Sequence, residues 1–109
     1  MIFHPDGRLI AAAGTKVYVL RTNKKPQFEL GRPRVKALVN DVAVTRDGRR
    51  IFAAMSNGTV QVWDAHTGEA VSLFRWRIGG IFSLALAPDG LTCAATGSRS
   101  RVVLWDIDA

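Results

Sequence analysis

The side chains most often used in catalysis and metal binding are scarce in this 109-residue chain. His4 and His66 are its only histidines, and Cys93 is its only cysteine. Neither histidine has cysteine or carboxylate neighbours at a spacing typical of a metal site, so both are expected in polar loops. Cys93 lies in a run that predicts a buried strand, which disfavours a nucleophilic triad. We expect a protein that is not an enzyme and binds no cofactor or metal.

One candidate surface for a partner is the segment FRWRIGG at residues 74–80. Arg75 and Arg77 alternate there with Phe74 and Trp76. Arginine and tryptophan are enriched at interaction hot spots, and arginines beside aromatic rings can stack on nucleobases. The alternative is an outer strand whose arginine stems lie over neighbouring side chains.

A second candidate surface follows from the net charge of +6. Residues 1–38 carry eight lysines and arginines against Asp6 and Glu29, whereas residues 39–109 carry equal numbers of both signs. A solvated face or a linker explains this excess, and a nucleic-acid-binding surface is the alternative. The residues that would form that surface are Arg21, Lys24, Lys25, Arg32, Arg34 and Lys36.

Two Trp-Asp pairs recur and indicate an internal repeat. Trp63-Asp64 and Trp105-Asp106 each close a β-branched run. An Asp-Gly turn recurs at the same interval, at Asp47-Gly48 and Asp89-Gly90, and Asp6-Gly7 precedes the first of these by almost the same interval. A period of about 40–45 residues with a Trp-Asp ending is typical of a propeller blade.

The segments between these markers are short and alternate in the manner of strands, and none has a convincing helical period. A strand runs into each turn, a second follows it, and a third ends at each Trp-Asp pair. Alanine recurs at a fixed distance after each turn glycine, at Ala12, Ala53 and Ala95. Small side chains at these positions would suit a crowded layer where sheets approach closely. No apolar stretch is long enough for a membrane span, and the N-terminus does not resemble a signal peptide, so a cytoplasmic location is expected.

With these motifs the chain resembles the WD-repeat β-propeller family over nearly its whole length. The resemblance implies an all-β, incomplete propeller of four-stranded antiparallel blades. We expect an incomplete divergent blade at residues 1–30, a complete blade at 31–74 and a blade without its outer strand at 75–109. The family's polar relay to the tryptophan is not carried over, because Asn57 and Arg99 stand in place of aspartate and Ala53 and Ala95 in place of serine or threonine.

The resemblance also implies a function. We expect a non-catalytic scaffold that binds protein partners, from the C-terminal part of a larger propeller. Remaining blades, or other copies of the chain, would cover its open blade faces. An accessory propeller of a larger enzyme is the other alternative to nucleic-acid binding.

Overall fold

The chain folds into three antiparallel sheets. The computed structural model describes residues 2–13, 16–20, 28–29, 37–75, 79–87, 92–99 and 101–106. In these ranges the first sheet contains β1 (Ile2–Phe3), β2 (Leu9–Ala13), β3 (Lys16–Leu20) and β4 (Phe28–Glu29); the second contains β5 (Val39–Val44), β6 (Arg50–Met55), β7 (Thr59–Asp64) and β8 (Ala70–Arg75); and the third contains β9 (Ile81–Leu86), β10 (Thr92–Gly97) and β11 (Val102–Asp106). Within each sheet every strand pairs with the strands next to it in sequence. The all-β architecture predicted from the repeat is confirmed.

Aspartate and glycine build the turns between the first two strands of the first and second sheets. In the second sheet the Asp47 carboxylate accepts hydrogen bonds from the Thr45 hydroxyl (2.6 Å) and the Arg49 backbone N–H (3.0 Å). Gly48 follows with a φ of 75°, a conformation that glycine adopts without steric cost. The pair thus fixes the reversal from β5 to β6 locally.

The second and third sheets have the same register, so that the repeat seen in the sequence is also a repeat of strand pairing. Trp63 lies opposite Ile51, and Trp105 lies opposite Cys93. Residues directly opposite each other in an antiparallel pair lie on the same face of the sheet. The two tryptophans therefore project from equivalent faces of the second and third sheets.

The first sheet departs from this register by one residue. Its turn closes with a bond from His4 N to Arg8 O, whereas the second closes from Thr45 N to Arg50 O, one residue longer. Ala12 consequently pairs with Val17. This pairing is equivalent to that of Ala54 with Val60 in the second sheet, and not to that of Ala53 with Gln61. Ala12 therefore lies on the other face of its sheet from the equivalent of Ala53, and the two alanines meet the same apolar cluster from opposite sides.

The three sheets stack face to face, with β5 in contact with β2 on one side and β9 on the other. One apolar core lies between the first and second sheets, and another lies between the second and third. The second sheet is therefore covered on both faces, and most of the side chains of β6 and β7 are buried. In the described ranges no helix is long and apolar enough to cross a membrane.

Candidate protein-interaction site

The interface between the first and second sheets, here called the first seam, is centred on Trp63. Its side chain is 1% exposed and belongs to a continuous apolar cluster. The cluster joins Ile10, Val17 and Val19 of the first sheet to Val42, Ile51, Ala53 and Met55 of the second. Burial of so large an aromatic surface makes Trp63 the main apolar contact between these two sheets.

Two polar side chains of the first sheet reach across the first seam into turns of the second. His4 Nε2–H donates to the Gly48 carbonyl oxygen (2.6 Å), and Arg8 Nη1 donates to the Ala65 carbonyl oxygen (3.2 Å). Both side chains are buried, so these bonds are made largely out of water. His4 lies in the turn between β1 and β2, as expected, but the equivalent turn of the next repeat buries it.

Asp6 holds both of these side chains in position. Its backbone N–H donates to His4 Nδ1 (3.1 Å), and its carboxylate accepts from Arg8 Nε (2.7 Å). Desolvation alone would raise the pKa of Asp6. The hydrogen bonds from the Arg8 backbone N–H and guanidinium, together with the positive charge of Arg8, outweigh this effect and lower the pKa below 3.8. The carboxylate is therefore ionised at neutral pH and keeps Arg8 directed toward the second sheet.

The second seam lies between the second and third sheets and has different polar contacts. Its apolar part contains Phe52 and Val62, and Trp105 packs against it with its ring centroid 5.7 Å from that of Phe74. Trp105 is only partly buried, unlike Trp63. The repeated tryptophan is thus buried more completely in the first seam than in the second.

A polar pair on the bulge of β5 clamps the second seam. Asn40 Nδ2 donates to the Ile81 carbonyl oxygen (2.8 Å), and the Leu84 backbone N–H donates to Asp41 Oδ2 (2.8 Å). The bulge falls between Val39 and Asp41, which leaves Asn40 outside the regular pairing. Sequence reasoning missed this pair. Its only signal is two adjacent polar residues inside an otherwise apolar strand.

One face of the third sheet lies in the second seam. The other face, here called the outer face, points away from the second sheet. The outer face consists of Ser83, Ala85, Ala94, Thr96, Val102 and Leu104, which lie opposite one another in the register. Val102 is 66% exposed and Leu104 is 70% exposed. In the second sheet the equivalent residues are Val60 and Val62, and both are completely buried by the third sheet.

The outer face also lacks the polar clamp of the second sheet. Phe82 and Ser83 stand at the positions of Asn40 and Asp41, and a bulge interrupts the pairing at the same point of the strand. Phe82 is 59% exposed. Any neighbour on this face would therefore be held by apolar contact without the two side-chain hydrogen bonds of the second seam.

β11 is the edge strand of the third sheet. Among the described strands it pairs only with β10, whereas its equivalent β7 pairs with β6 and β8. Arg101 precedes β11 and Asp106 ends it, and both are exposed. The edge thus presents backbone donors and acceptors between two opposite charges.

The two adjacent glycines before β9 allow a close approach between loops. A methyl group on Gly80 would lie 2.6 Å from the Ser56 carbonyl oxygen, and one on Gly79 would overlap the Ser98 hydroxyl. The Ser98 backbone N–H also donates to the Gly80 carbonyl oxygen (2.9 Å). Glycine is needed here for packing, which a pattern of turns in the sequence does not reveal.

The structure places the residues singled out in the sequence as follows. Asp64 caps the turn after β7 by accepting from the backbone N–H groups of Thr67 (2.9 Å) and His66 (2.8 Å), and these bonds lower its pKa. Arg75 is exposed at the end of β8. The remaining members of the predicted surfaces and of the third turn lie outside the described residues; they are Arg21, Lys24, Lys25, Arg32, Arg34, Lys36, Trp76, Arg77, Asp89 and Gly90.

The described residues contain no group of three histidine, cysteine or carboxylate side chains that could hold a metal ion. Cys93 is buried in β10, as predicted, and desolvation raises the pKa of its thiol to about 12. A thiol with so high a pKa is almost wholly protonated at neutral pH and is a poor nucleophile.

Repeated antiparallel sheets, two with four described strands and one with three, that stack across apolar seams have the architecture of β-propeller blades. A family profile described as the anaphase-promoting complex subunit 4 WD40 domain matches residues 1–87. Because this match covers well over half of the chain, the chain belongs to the WD40 repeat family.

Two curated proteins show the same relationship. The chain is 29% identical over 68 residues to a guanine nucleotide-binding protein subunit beta of Schizosaccharomyces pombe, a match that covers 62% of this chain and 22% of that protein. It is 26% identical over 112 aligned residues to Protein groucho of Drosophila melanogaster, covering 94% of this chain and 14% of that protein. The chain therefore spans less than a quarter of the length of either relative.

Proposed function

We propose that this chain is a non-catalytic scaffold segment of a larger WD-repeat propeller, which binds protein partners through its loops and edges. One observation carries the proposal. The exposed Val102 and Leu104 stand at the register positions of Val60 and Val62, which the third sheet covers completely. A face built like a buried one, but exposed, is suited to association.

The occupant we propose for the outer face is a further blade. The third sheet covers the equivalent face of the second sheet, and the second sheet in turn covers the first across the first seam. Propellers close at about four to eight blades, so three sheets leave room for others. Exposed apolar side chains at two positions of one strand give such a blade an apolar surface on which to pack.

The comparisons support a role in assembly. Two of the matching names describe subunits, of the anaphase-promoting complex and of a guanine nucleotide-binding protein. We propose only that this chain, like those subunits, binds other polypeptides. A cytoplasmic location stays a prediction, which imaging of the tagged protein would check.

A photo-crosslinking amino acid placed at position 104 in the full-length polypeptide tests the proposed function. We expect a covalent adduct to a strand of another blade, identified by mass spectrometry. The matched control is position 71, since Val71 is also an exposed aliphatic residue of a strand, but lies in the outer strand of the second sheet. Equal adduct yields at 104 and 71, or none at 104, would reject a blade on the outer face.

A further inference from the structure

We propose that Arg75, Asn57 and Arg99 form a site, here called the arginine end, that binds an acidic segment of a partner protein. The proposal rests on the scaffold function above and adds the chemistry of the partner. The site lies at one end of the second and third sheets, where strands are joined, and uses neither the outer face nor the edge of β11.

Three connections between strands meet at the arginine end. Ser56 lies in the turn between β6 and β7, Ser98 lies in the equivalent turn between β10 and β11, and Gly80 precedes β9. The Ser98 backbone N–H donates to the Gly80 carbonyl oxygen (2.9 Å), and a methyl group on Gly80 would lie 2.6 Å from the Ser56 carbonyl oxygen. Asn57 and Arg99 directly follow the two serines, so these contacts hold them close to each other.

The two arginines reach solvent at this end. Arg75 is the last residue of β8 and lies opposite Thr59, which begins β7 two residues after Asn57. A methyl group on Gly79 would lie 3.2 Å from Arg99 Cγ, so the stem of Arg99 lies over the connection that follows β8. Both arginines are exposed, and neither has an ion-pair partner among the described residues.

The exposure of the arginine end does not depend on how many sheets follow the third. Asn57 occupies the position equivalent to Arg99 and is exposed even though both faces of the second sheet are covered. Arg75 belongs to a sheet of four described strands. Arg101 is not part of the site, because the equivalent Thr59 is buried in the second sheet.

The charges of the second and third sheets are separated along the strands. In the half that contains the arginine end, the described carboxylate is that of Asp41. It accepts backbone N–H groups of Val42 (3.0 Å) and Leu84 (2.8 Å), and is thereby held in the second seam. The other carboxylates whose side chains the structure describes lie at the opposite end of the sheets; they are Asp6, Asp47, Asp64, Glu69 and Asp106. The arginine end therefore has a positive potential, which attracts anions.

The polar groups of the site are donors. The Asn57 Oδ1 accepts from the Thr59 backbone N–H (3.2 Å) and hydroxyl (2.6 Å), so the exposed amide offers its Nδ2–H groups to a ligand. A guanidinium has only donors as well, and a carboxylate has only acceptors. Because the proposed function is the binding of proteins, we assign the complementary carboxylates to aspartate and glutamate side chains of a partner.

A hexaglutamate peptide and a hexaglutamine peptide, each carrying a fluorophore, test the proposal by fluorescence anisotropy at low salt. We expect the chain to bind hexaglutamate more tightly than hexaglutamine. The pair Arg75→Gln and Arg99→Gln should weaken hexaglutamate binding by about threefold to tenfold, since exposed charge pairs are individually weak. The matched control is the pair Arg46→Gln and Arg49→Gln, which removes the same charge from exposed residues at the opposite end.

The control pair should weaken binding by less than about twofold, and hexaglutamate should shift the NMR signals of the Asn57 side-chain amide. Equal weakening by the two pairs, no weakening by either, or unshifted Asn57 signals would each overturn the proposal. So would a six-nucleotide thymidine oligonucleotide that binds more tightly than hexaglutamate and depends on the same two arginines, because it would indicate nucleic acid as the ligand.

The two proposals fail separately. An adduct at position 104 without an effect of Arg75 and Arg99 would leave the scaffold function standing and remove only the acidic ligand. Hexaglutamate binding that depends on both arginines, without an adduct at position 104, would keep the acidic ligand and remove the blade on the outer face.

Discussion

One methyl group added at Gly48 should weaken the contact between the first and second sheets. In Gly48→Ala the new methyl group would lie 2.7 Å from His4 Cε1 and 2.9 Å from His4 Nε2. His4 would have to leave the position in which its Nε2–H donates to the Gly48 carbonyl oxygen. The substitution therefore disrupts the first seam through the backbone of the turn between β5 and β6.

The expected cost has two parts. An L-residue in the left-handed conformation costs about 1–2 kcal/mol, and Gly48 has a φ of 75°. Loss of a buried hydrogen bond, with its donor and acceptor left unsatisfied, costs about 1–3 kcal/mol. We expect Gly48→Ala to lower the free energy of unfolding by about 2–5 kcal/mol, measured by urea denaturation followed by circular dichroism.

Gly7→Ala is the matched control. Gly7 occupies the equivalent turn of the first sheet with a φ of 94°, but a methyl group there meets no atom within 4 Å. It should cost only the backbone part, about 1–2 kcal/mol. In a His4→Ala background the cost of Gly48→Ala should fall to that of Gly7→Ala, since the two changes then share one lost contact. Equal costs for Gly48→Ala and Gly7→Ala in the wild-type background would refute the inter-sheet contact.

Four further predictions concern other parts of the chain. Trp63→Ala should lower the free energy of unfolding by about 3–5 kcal/mol, and the exposed Arg99→Ala by about 0.5 kcal/mol or less; similar shifts in urea midpoint would place Trp63 outside the seam. The Thr45 hydroxyl and the Arg49 N–H lower the pKa of Asp47 below 3.8, so its contribution to stability is present above 3.8 and is lost as the pH falls through the lowered folded value. Asp47→Asn should therefore show a shallower loss of urea midpoint with acid than the wild type; an unchanged slope would argue against these bonds. The Cys93 thiol, with a pKa raised to about 12, should react with a disulfide reagent at neutral pH only after denaturant is added, and rapid reaction of the folded chain would contradict its burial. If the basic stretch at residues 21–36 binds nucleic acid, the affinity should fall steeply as salt is raised, whereas absent or salt-insensitive binding in a filter assay would remove that alternative.

The sequence predicted the parts of this fold that local chemistry determines. An aspartate before a glycine of positive φ reverses the chain at Gly7 and at Gly48. A β-branched run ending in tryptophan gives a strand with one strongly apolar residue, and Trp63 is buried accordingly. Each of these features depends on a short run of consecutive residues.

The sequence could not predict features that depend on residues far apart in the chain. His4 is flanked by residues typical of a solvated turn, and it is buried because the turn at Gly48 packs against it. The Asn40 and Asp41 clamp likewise depends on the backbone of β9. The face on which Ala12 lies also depends on the first turn, which is one residue shorter than the second, a difference that glycine spacing does not show.

Cysteine accessibility at two equivalent positions tests the central claim most directly. Val62→Cys and Leu104→Cys, each in a Cys93→Ala background, place one thiol in the second seam and one on the outer face of the third sheet. At a dilution where the chain is monomeric, Leu104→Cys should be labelled at the rate of a free thiol. Val62→Cys should be slower by about a hundredfold or more, as expected if exposure requires an opening of about 3 kcal/mol. Equal labelling rates would contradict both the stacked sheets and the open face.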